Sequence, residues 1–253
     1  LRSPCARWRV CTHCTLPGRY AGTLDGVNRR FTFDSDPRFI GTPLEEPQET
    51  FEFSTAIELL QYLAQDDTRQ SAFQNRIQKR LTADPIAKEW HKQRTRIGDT
   101  THFRYYRRNS SYQTYHDAAV AISTGHATAA QHELVQGLDA EIAASRIVVP
   151  MGQMLFHGRG DRDLDALAPY PSFVSTSLDP TVSIYHAIKR ELQRTSARAT
   201  IYALTLESPL PAMWGNGGRL AEWELLLQTR LTCTVSHQHT HGRFDIIEAA
   251  IQP

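Results

Sequence analysis

Along this chain the spacing of apolar positions changes near residue 150. Ahead of it they recur at helical spacing, and beyond it they fall into short strand-like runs. Thr55 and Glu58 have the spacing of a capping box, and Ala56, Leu59, Leu60, Leu63 and Ala64 then share one helical face. Phe73, Ile77 and Leu81 form a second stripe that Asp84-Pro85 breaks. Residues 116–146 predict a helical stretch, with Leu134, Leu138 and Ile142 as its core stripe. After Val148-Val149-Pro150, strands are predicted at 153–158, 172–177, 199–206, 223–230, 231–236 and 243–251. Turn signals such as Asn216-Gly217-Gly218 and His241-Gly242 separate them. Helices first and strands afterwards indicate an α+β fold, not a βαβ parallel sheet. Residues 1–53 are rich in Pro, Gly, Asp and Arg without a sustained period, and read as an extended arm or covering layer. We therefore divide the chain into an N-terminal extension and helical region, 1–115, and a second domain, 116–253.

Composition narrows the class. With 253 residues, 40% hydrophobic and 22% charged, the chain can bury a core of ordinary size. A net charge of +1 gives no global pull toward nucleic acid or membrane. No apolar run approaches the ~20 residues that span a bilayer. Leu1-Arg2-Ser3-Pro4 does not open a secretory leader, and a start at Leu in place of Met leaves room for a targeting segment ahead of it. Cys5, Cys11, Cys14 and Cys233 are too few for a disulfide scaffold. The spacing of Cys11 and Cys14 suits zinc or redox chemistry, but a zinc site would need a fourth ligand, His13 or a distant residue, and these read as plain thiols or an adventitious disulfide. Residues 76–108 carry ten Lys or Arg against Asp84, Glu89 and Asp99, with Trp90, Phe103, Tyr105 and Tyr106 among them. Basic residues among aromatics can bind nucleic acid, although no recognised motif frames this patch.

Three segments can carry chemistry. In Leu155-Phe156-His157-Gly158-Arg159-Gly160, strand alternation sends Leu155, His157 and Arg159 to one face, and the glycines admit a close ligand. In Ser172-Phe173-Val174-Ser175-Thr176-Ser177, hydroxyl residues end an apolar strand, and Ser175 and Ser177 share a face. In Glu222-Trp223-Glu224, two carboxylates stand on one strand face directly before Leu225-Leu226-Leu227. Paired carboxylates suit acid/base work or the stabilisation of a cationic transition state. Two further clusters are read as structural: His237, His239 and His241 at the tip of a hairpin, and Asp161, Asp163 and Asp165 in a solvated turn.

Taken in order, these segments resemble the mono-ADP-ribosyltransferases of the cholera-toxin-like group, bacterial toxins and effectors with an Arg, a Ser-Thr-Ser and a Glu-x-Glu motif. The resemblance covers residues 134–251 and rests on Ser175-Thr176-Ser177 and Glu222-Trp223-Glu224. His157 stands where that group has its first arginine; His followed by Gly is the usage of the diphtheria-toxin-like group. The resemblance implies a split antiparallel β-sandwich beneath an N-terminal helical region, with NAD as a substrate bound in the cleft. It implies Glu224 as the catalytic carboxylate, Glu222 as the group that deprotonates an arginine acceptor, and Ser175 as the residue that orients Glu224. His157, Gly158, Arg159, Ser175, Thr176 and Ser177 would bind NAD, with Phe173 and Tyr185 as stacking candidates for nicotinamide. Trp214, Asn216 and Arg219 belong to a loop that matches the group's substrate-recognition loop, where Trp214 would anchor a partner protein. The implied molecule is a monomer without a membrane span and without a metal. It is secreted and delivered into the cytosol of a target cell, where it modifies a protein. Two other readings stand beside this one. The missing arginine motivates a degenerate fold that binds without catalysis, and the basic segment motivates a transferase acting on nucleic acid.

Overall fold

The capping spacing at Thr55 closes a helix as read. Thr55 Oγ1 accepts the Glu58 amide at 3.1 Å, and the Glu58 carboxylate accepts the Ser54 amide at 2.7 Å. This begins α1 (Ala56–Ala64), which buries Ala56, Leu59 and Leu60 in the same core as the strands. The computed structural model describes residues 31–33, 51–64, 100–108, 111–159, 171–178, 180–191, 199–215, 224–242 and 244–253. The Phe73, Ile77 and Leu81 stripe, Cys5, Cys11 and Cys14, and Asp161, Asp163 and Asp165 lie outside them. Within the segment read as an arm, β1 (Phe31–Phe33) and β2 (Phe51–Phe53) pair antiparallel.

Three helices follow: α2 (Thr101–Tyr106), α3 (Ser111–Ser123) and α4 (Ala129–Ala143). The stretch expected as one helix at 116–146 is thus two, and the boundary drawn at 115/116 falls inside α3. Gly125 breaks the stretch with φ +74°, a conformation costly for any residue with a Cβ. Thr128 and Gln131 then form the capping box that restarts it. Glu141 of α4 caps α2, accepting the amides of His102 at 2.9 Å and Phe103 at 2.8 Å and the Thr100 hydroxyl. Phe103, Tyr106, Tyr115, Val135, Leu138 and Ile142 form a core between these helices. Burial, then the Glu141 charge, then Tyr105, push the Tyr115 hydroxyl well above its ordinary pKa of 10.0.

The remaining elements are β3 (Val148–Val149), β4 (Met154–Arg159), β5 (Val174–Ser177), α5 (Pro180–Glu191), β6 (Ala199–Leu206), β7 (Leu210–Pro211), β8 (Met213–Trp214), β9 (Glu224–Leu227), β10 (Thr232–His241) and β11 (Phe244–Gln252). The class is α+β, as expected. Seven strands form one sheet in the order β10-β11-β6-β4-β5-β9-β8, and β3 pairs with β7 apart from it. All neighbours in the large sheet run antiparallel except β6 and β11. That parallel pair joins residues far apart in the chain, which alternation within each strand cannot reveal. The sheet is also close to divided: β4 pairs with β6 over six residues, but with β5 only at Phe156 and Ser177. Four strands thus stand on one side of a one-bridge seam and three on the other.

Two elements differ from expectation. The helix α5 was not anticipated; its sequence signal is Asp179 ahead of Pro180, a helix start with Pro in the first turn. The strand β10 continues through His237 and His239 to His241, past a bulge between Val235 and His237. The hairpin closes at Gly242, φ +54°, and His237 pairs with Glu248 at 3.3 Å.

Candidate functional site

The seam between β4 and β5 is where the sequence-predicted residues converge. Register pairs Ser175 with Leu226 and Ser177 with Glu224, so these four side chains share one face of the β5–β9 pair. Phe173 and Leu226, at one end of that face, are buried under α2, α3 and α4. At the other end Ser175 and Glu224 are half-buried. Ser175 Oγ donates to Glu224 Oε1 at 2.7 Å. A hydroxyl that donates this way fixes one carboxylate oxygen. The carboxylate stands on β9 because the leucines that follow it, Leu225, Leu226 and Leu227, are wholly buried and hold the strand.

His157 reaches the same serine from across the seam. Its Nδ1–H donates to the Ser175 carbonyl at 2.6 Å. That bond assigns the ring proton to Nδ1, so in the neutral imidazole Nε2 is the acceptor. The ring lies 6.1 Å from that of Tyr202, the register partner of His157 on β6, which is fully buried. The sequence offered no signal for Tyr202, since an aromatic in a buried strand reads as core. Ser175 therefore touches both charged-group candidates: its carbonyl takes His157 and its hydroxyl takes Glu224.

Other expected site residues have different roles. Thr176 is buried and its hydroxyl donates to the Leu225 carbonyl at 2.8 Å, so it ties β5 to β9 and is not turned to a ligand. Gly158 is not open to a ligand either. A methyl on its Cα would lie 2.9 Å from Cα of Ser183, so the close approach that glycine permits belongs to α5. Phe173 is 1% exposed, with Tyr106 and Tyr115 edge-on at 6.3 and 6.1 Å. Tyr185 is buried in the main core. Neither aromatic offers a free face for stacking. Trp214, expected as an anchor for a partner protein, is 1% exposed and packs in the sheet core. A large indole on a two-residue strand is worth more buried than displayed. Ser177 is buried beside Glu224. Glu222, Asn216 and Arg219 lie outside the described residues, and so does the side chain of Arg159, whose backbone ends β4.

No protein-family model matches the chain, and no curated protein matches it. Solved structures do. The ADP-ribosylating toxin BECa of a binary enterotoxin of C. perfringens, crystallised with NADH, is similar over 65% of this chain and 46% of its own, with 13% identity and a TM-score of 0.47. The chain thus spans about half the length of BECa. The C3 exoenzyme of Clostridium limosum is similar over 66% of this chain and 94% of its own, with 17% identity and a TM-score of 0.47. The Vis toxin, an ADP-ribosyltransferase from Vibrio splendidus, is similar over 79% and 87%, with 14% identity and a TM-score of 0.43.

Among the described residues no group of His, Cys, Asp and Glu is placed to hold a metal ion. What the site can do follows from its groups. A half-buried carboxylate that accepts from the Ser175 hydroxyl, one strand from the divide in the sheet, can stabilise positive charge that develops beside it. An imidazole with its donor engaged at the backbone presents acceptor character or, if protonated, a second charge.

Proposed function

We propose that this chain is an NAD-dependent mono-ADP-ribosyltransferase of the bacterial toxin or effector type. The observation that supports it most is the bond from Ser175 Oγ to Glu224 Oε1, with His157 bound to the same serine. Loss of nicotinamide from NAD passes through an oxocarbenium-like state, as glycoside cleavage does. Glu224 would stabilise that charge at the ribose more than it stabilises the bound ground state. His157 and Arg159 would hold the dinucleotide, His157 from the strand position where the cholera-toxin-like group has arginine. Glu222, two residues before Glu224, would take the proton from an arginine acceptor. Asn216 and Arg219 would face the modified protein. The donor set suits NAD: a carboxylate for a cationic sugar and an imidazole bound to the same serine. Under this reading the chain acts as a secreted monomer in the cytosol of a target cell. No described helix is long and apolar enough to cross a membrane.

Nucleic acid as the acceptor has less support. Among the described residues of the basic segment, Phe103 and Tyr106 are core residues, and Tyr105 is exposed with Arg104 and Arg108 on α2 and its end. The test is nicotinamide release from NAD by the whole chain, followed by transfer of labelled ADP-ribose to a cell lysate and digestion with protease or with nuclease. Release of nicotinamide with a protease-sensitive label is expected, and Glu222→Gln should spare release more than transfer. Absence of any release refutes the enzyme and leaves a binding module. Nuclease-sensitive label refutes the protein acceptor.

A further inference from the structure

The strand β8 ends one residue before a position that the carboxylate needs empty. Met213 pairs with Leu226 and Trp214 with Leu225, so the next pair across the ladder is Gly215 and Glu224. The Gly215 amide donates to the Glu224 carbonyl at 2.8 Å and continues the ladder. Side chains directly opposite on an antiparallel pair ordinarily stand 4.5–5.5 Å apart at Cβ. Here the Glu224 side chain lies over the bare Cα of its partner. A methyl on Gly215 would sit 2.8 Å from Cδ of Glu224 and 2.9 Å from its Cβ, and closer still to Oε2. From the other side the hydroxyl of Ser175 holds Oε1.

We infer that Gly215 is a positioning residue: its missing side chain, opposite Ser175, sets where the Glu224 carboxylate stands. The inference rests on the transferase reading for its effect on rate, but not for its effect on geometry. Glycine is needed here for space and not for conformation, because the positive-φ glycines among the described residues are Gly125, Gly152 and Gly242. An alanine at 215 is thus allowed by the backbone, and its methyl meets the carboxyl group. The neighbours decide which side yields. Trp214 and Leu225 are buried at 1% and 0% exposure and anchor the ladder. The half-buried carboxylate is the softer partner, and it gives way by leaving Ser175.

The experiment is Gly215→Ala in the whole chain, read by crystal structure, thermal melt and steady-state nicotinamide release. We expect the Ser175–Glu224 hydrogen bond to be lost in the variant. We also expect kcat to fall about 10–100-fold, the scale of an ångström-sized misplacement. KM for NAD should stay within about threefold of wild type, because the carboxylate acts on the developing charge more than on ground-state binding. Wild-type kcat with the bond intact overturns the inference, and so does a lower kcat with the bond intact. If the parent chain releases no nicotinamide, the transferase reading falls. The variant structure still decides the inference: a displaced carboxylate upholds it and an unmoved one overturns it. Should Gly215→Ala melt low, the same change is made in a Glu224→Gly background, which removes Cβ of residue 224 as well as its carboxyl group. Recovery of most of the lost melting temperature upholds a clash with the Glu224 side chain, and no recovery overturns it.

Discussion

The face of the β5–β9 pair has two ends that differ in almost every physical respect. At one, Phe173 and Leu226 are covered by α2, α3 and α4 and pack in an apolar and aromatic core. At the other, Ser175 and Glu224 are half-buried and meet through a hydrogen bond. The two ends adjoin, since Ser175 of one is paired directly with Leu226 of the other. The apolar end supplies rigidity, and the polar end uses it. A carboxylate on a strand that could shift would lose its placement against Ser175. The clamp is reinforced where β9 ends: Asp139 of α4 accepts the Thr229 amide at 3.0 Å and the Thr229 hydroxyl at 2.6 Å.

Substitutions should separate the two ends cleanly, with stability lost at one and rate at the other. Leu226→Ala is expected to have the largest effect. It opens a cavity beneath three helices and should cost about 2–5 kcal/mol, measured by denaturant unfolding, with activity per folded molecule retained. A loss of rate larger than the loss of folded protein would show that the ends are not independent. Glu224→Gln should do the reverse. Nicotinamide release should fall by about 10²–10³ while the melting temperature stays near that of wild type. Wild-type release from a folded Glu224→Gln chain would remove the chemistry from this end of the face.

The smallest effect concerns the helices that cover the apolar end. The Tyr115 hydroxyl donates to the His102 carbonyl at 3.1 Å, and burial raises its pKa above the ordinary 10.0. Above about pH 10 the unfolded chain releases this proton while the folded chain keeps it, so the native state binds more protons and stability falls as pH rises. Tyr115→Phe should cost about 1 kcal/mol at pH 8 for the lost bond. It should also flatten the decline between pH 10 and 11, as followed by urea midpoints. An identical decline in both proteins would assign the alkaline loss to other groups.

The same comparison explains how much was legible in the sequence. The apolar end was readable because burial repeats: Leu138 and Ile142 stand a helical turn apart, and both are core. The strand positions of Ser175 and Glu224 were readable because hydroxyls and a carboxylate interrupt apolar runs. What alternation could not give is how strands far apart meet. The parallel pairing of β6 with β11, and the α5 backbone lying against Gly158, are such cases. Trp214 went astray because an aromatic next to glycines looks like a displayed anchor, whereas its partner Leu225 draws it into the sheet. Phe173 and Tyr185 were taken for stacking surfaces on residue type alone; the helices of the second core cover Phe173, and Tyr185 stands on α5 with its ring in the main core. The Gly125 break and the Thr128–Gln131 box were present in the sequence, but the stripe of Leu134, Leu138 and Ile142 begins only after them and gave no sign of the break.

The lone backbone bridge between Phe156 and Ser177 has a mechanical consequence. A ladder of one rung couples the two parts of the sheet weakly through the backbone, so their coupling falls to the core they share, where Leu155 and Phe156 of β4 pack with Val174 of β5 and Leu225 and Leu227 of β9. Ser175 and Glu224 stand on one side of the seam, placed by the β5–β9 ladder and their own hydrogen bond. His157 stands on the other side and reaches across to the Ser175 carbonyl. The distance from imidazole to carboxylate is therefore set by side-chain packing, and the placement of the carboxylate by paired backbone.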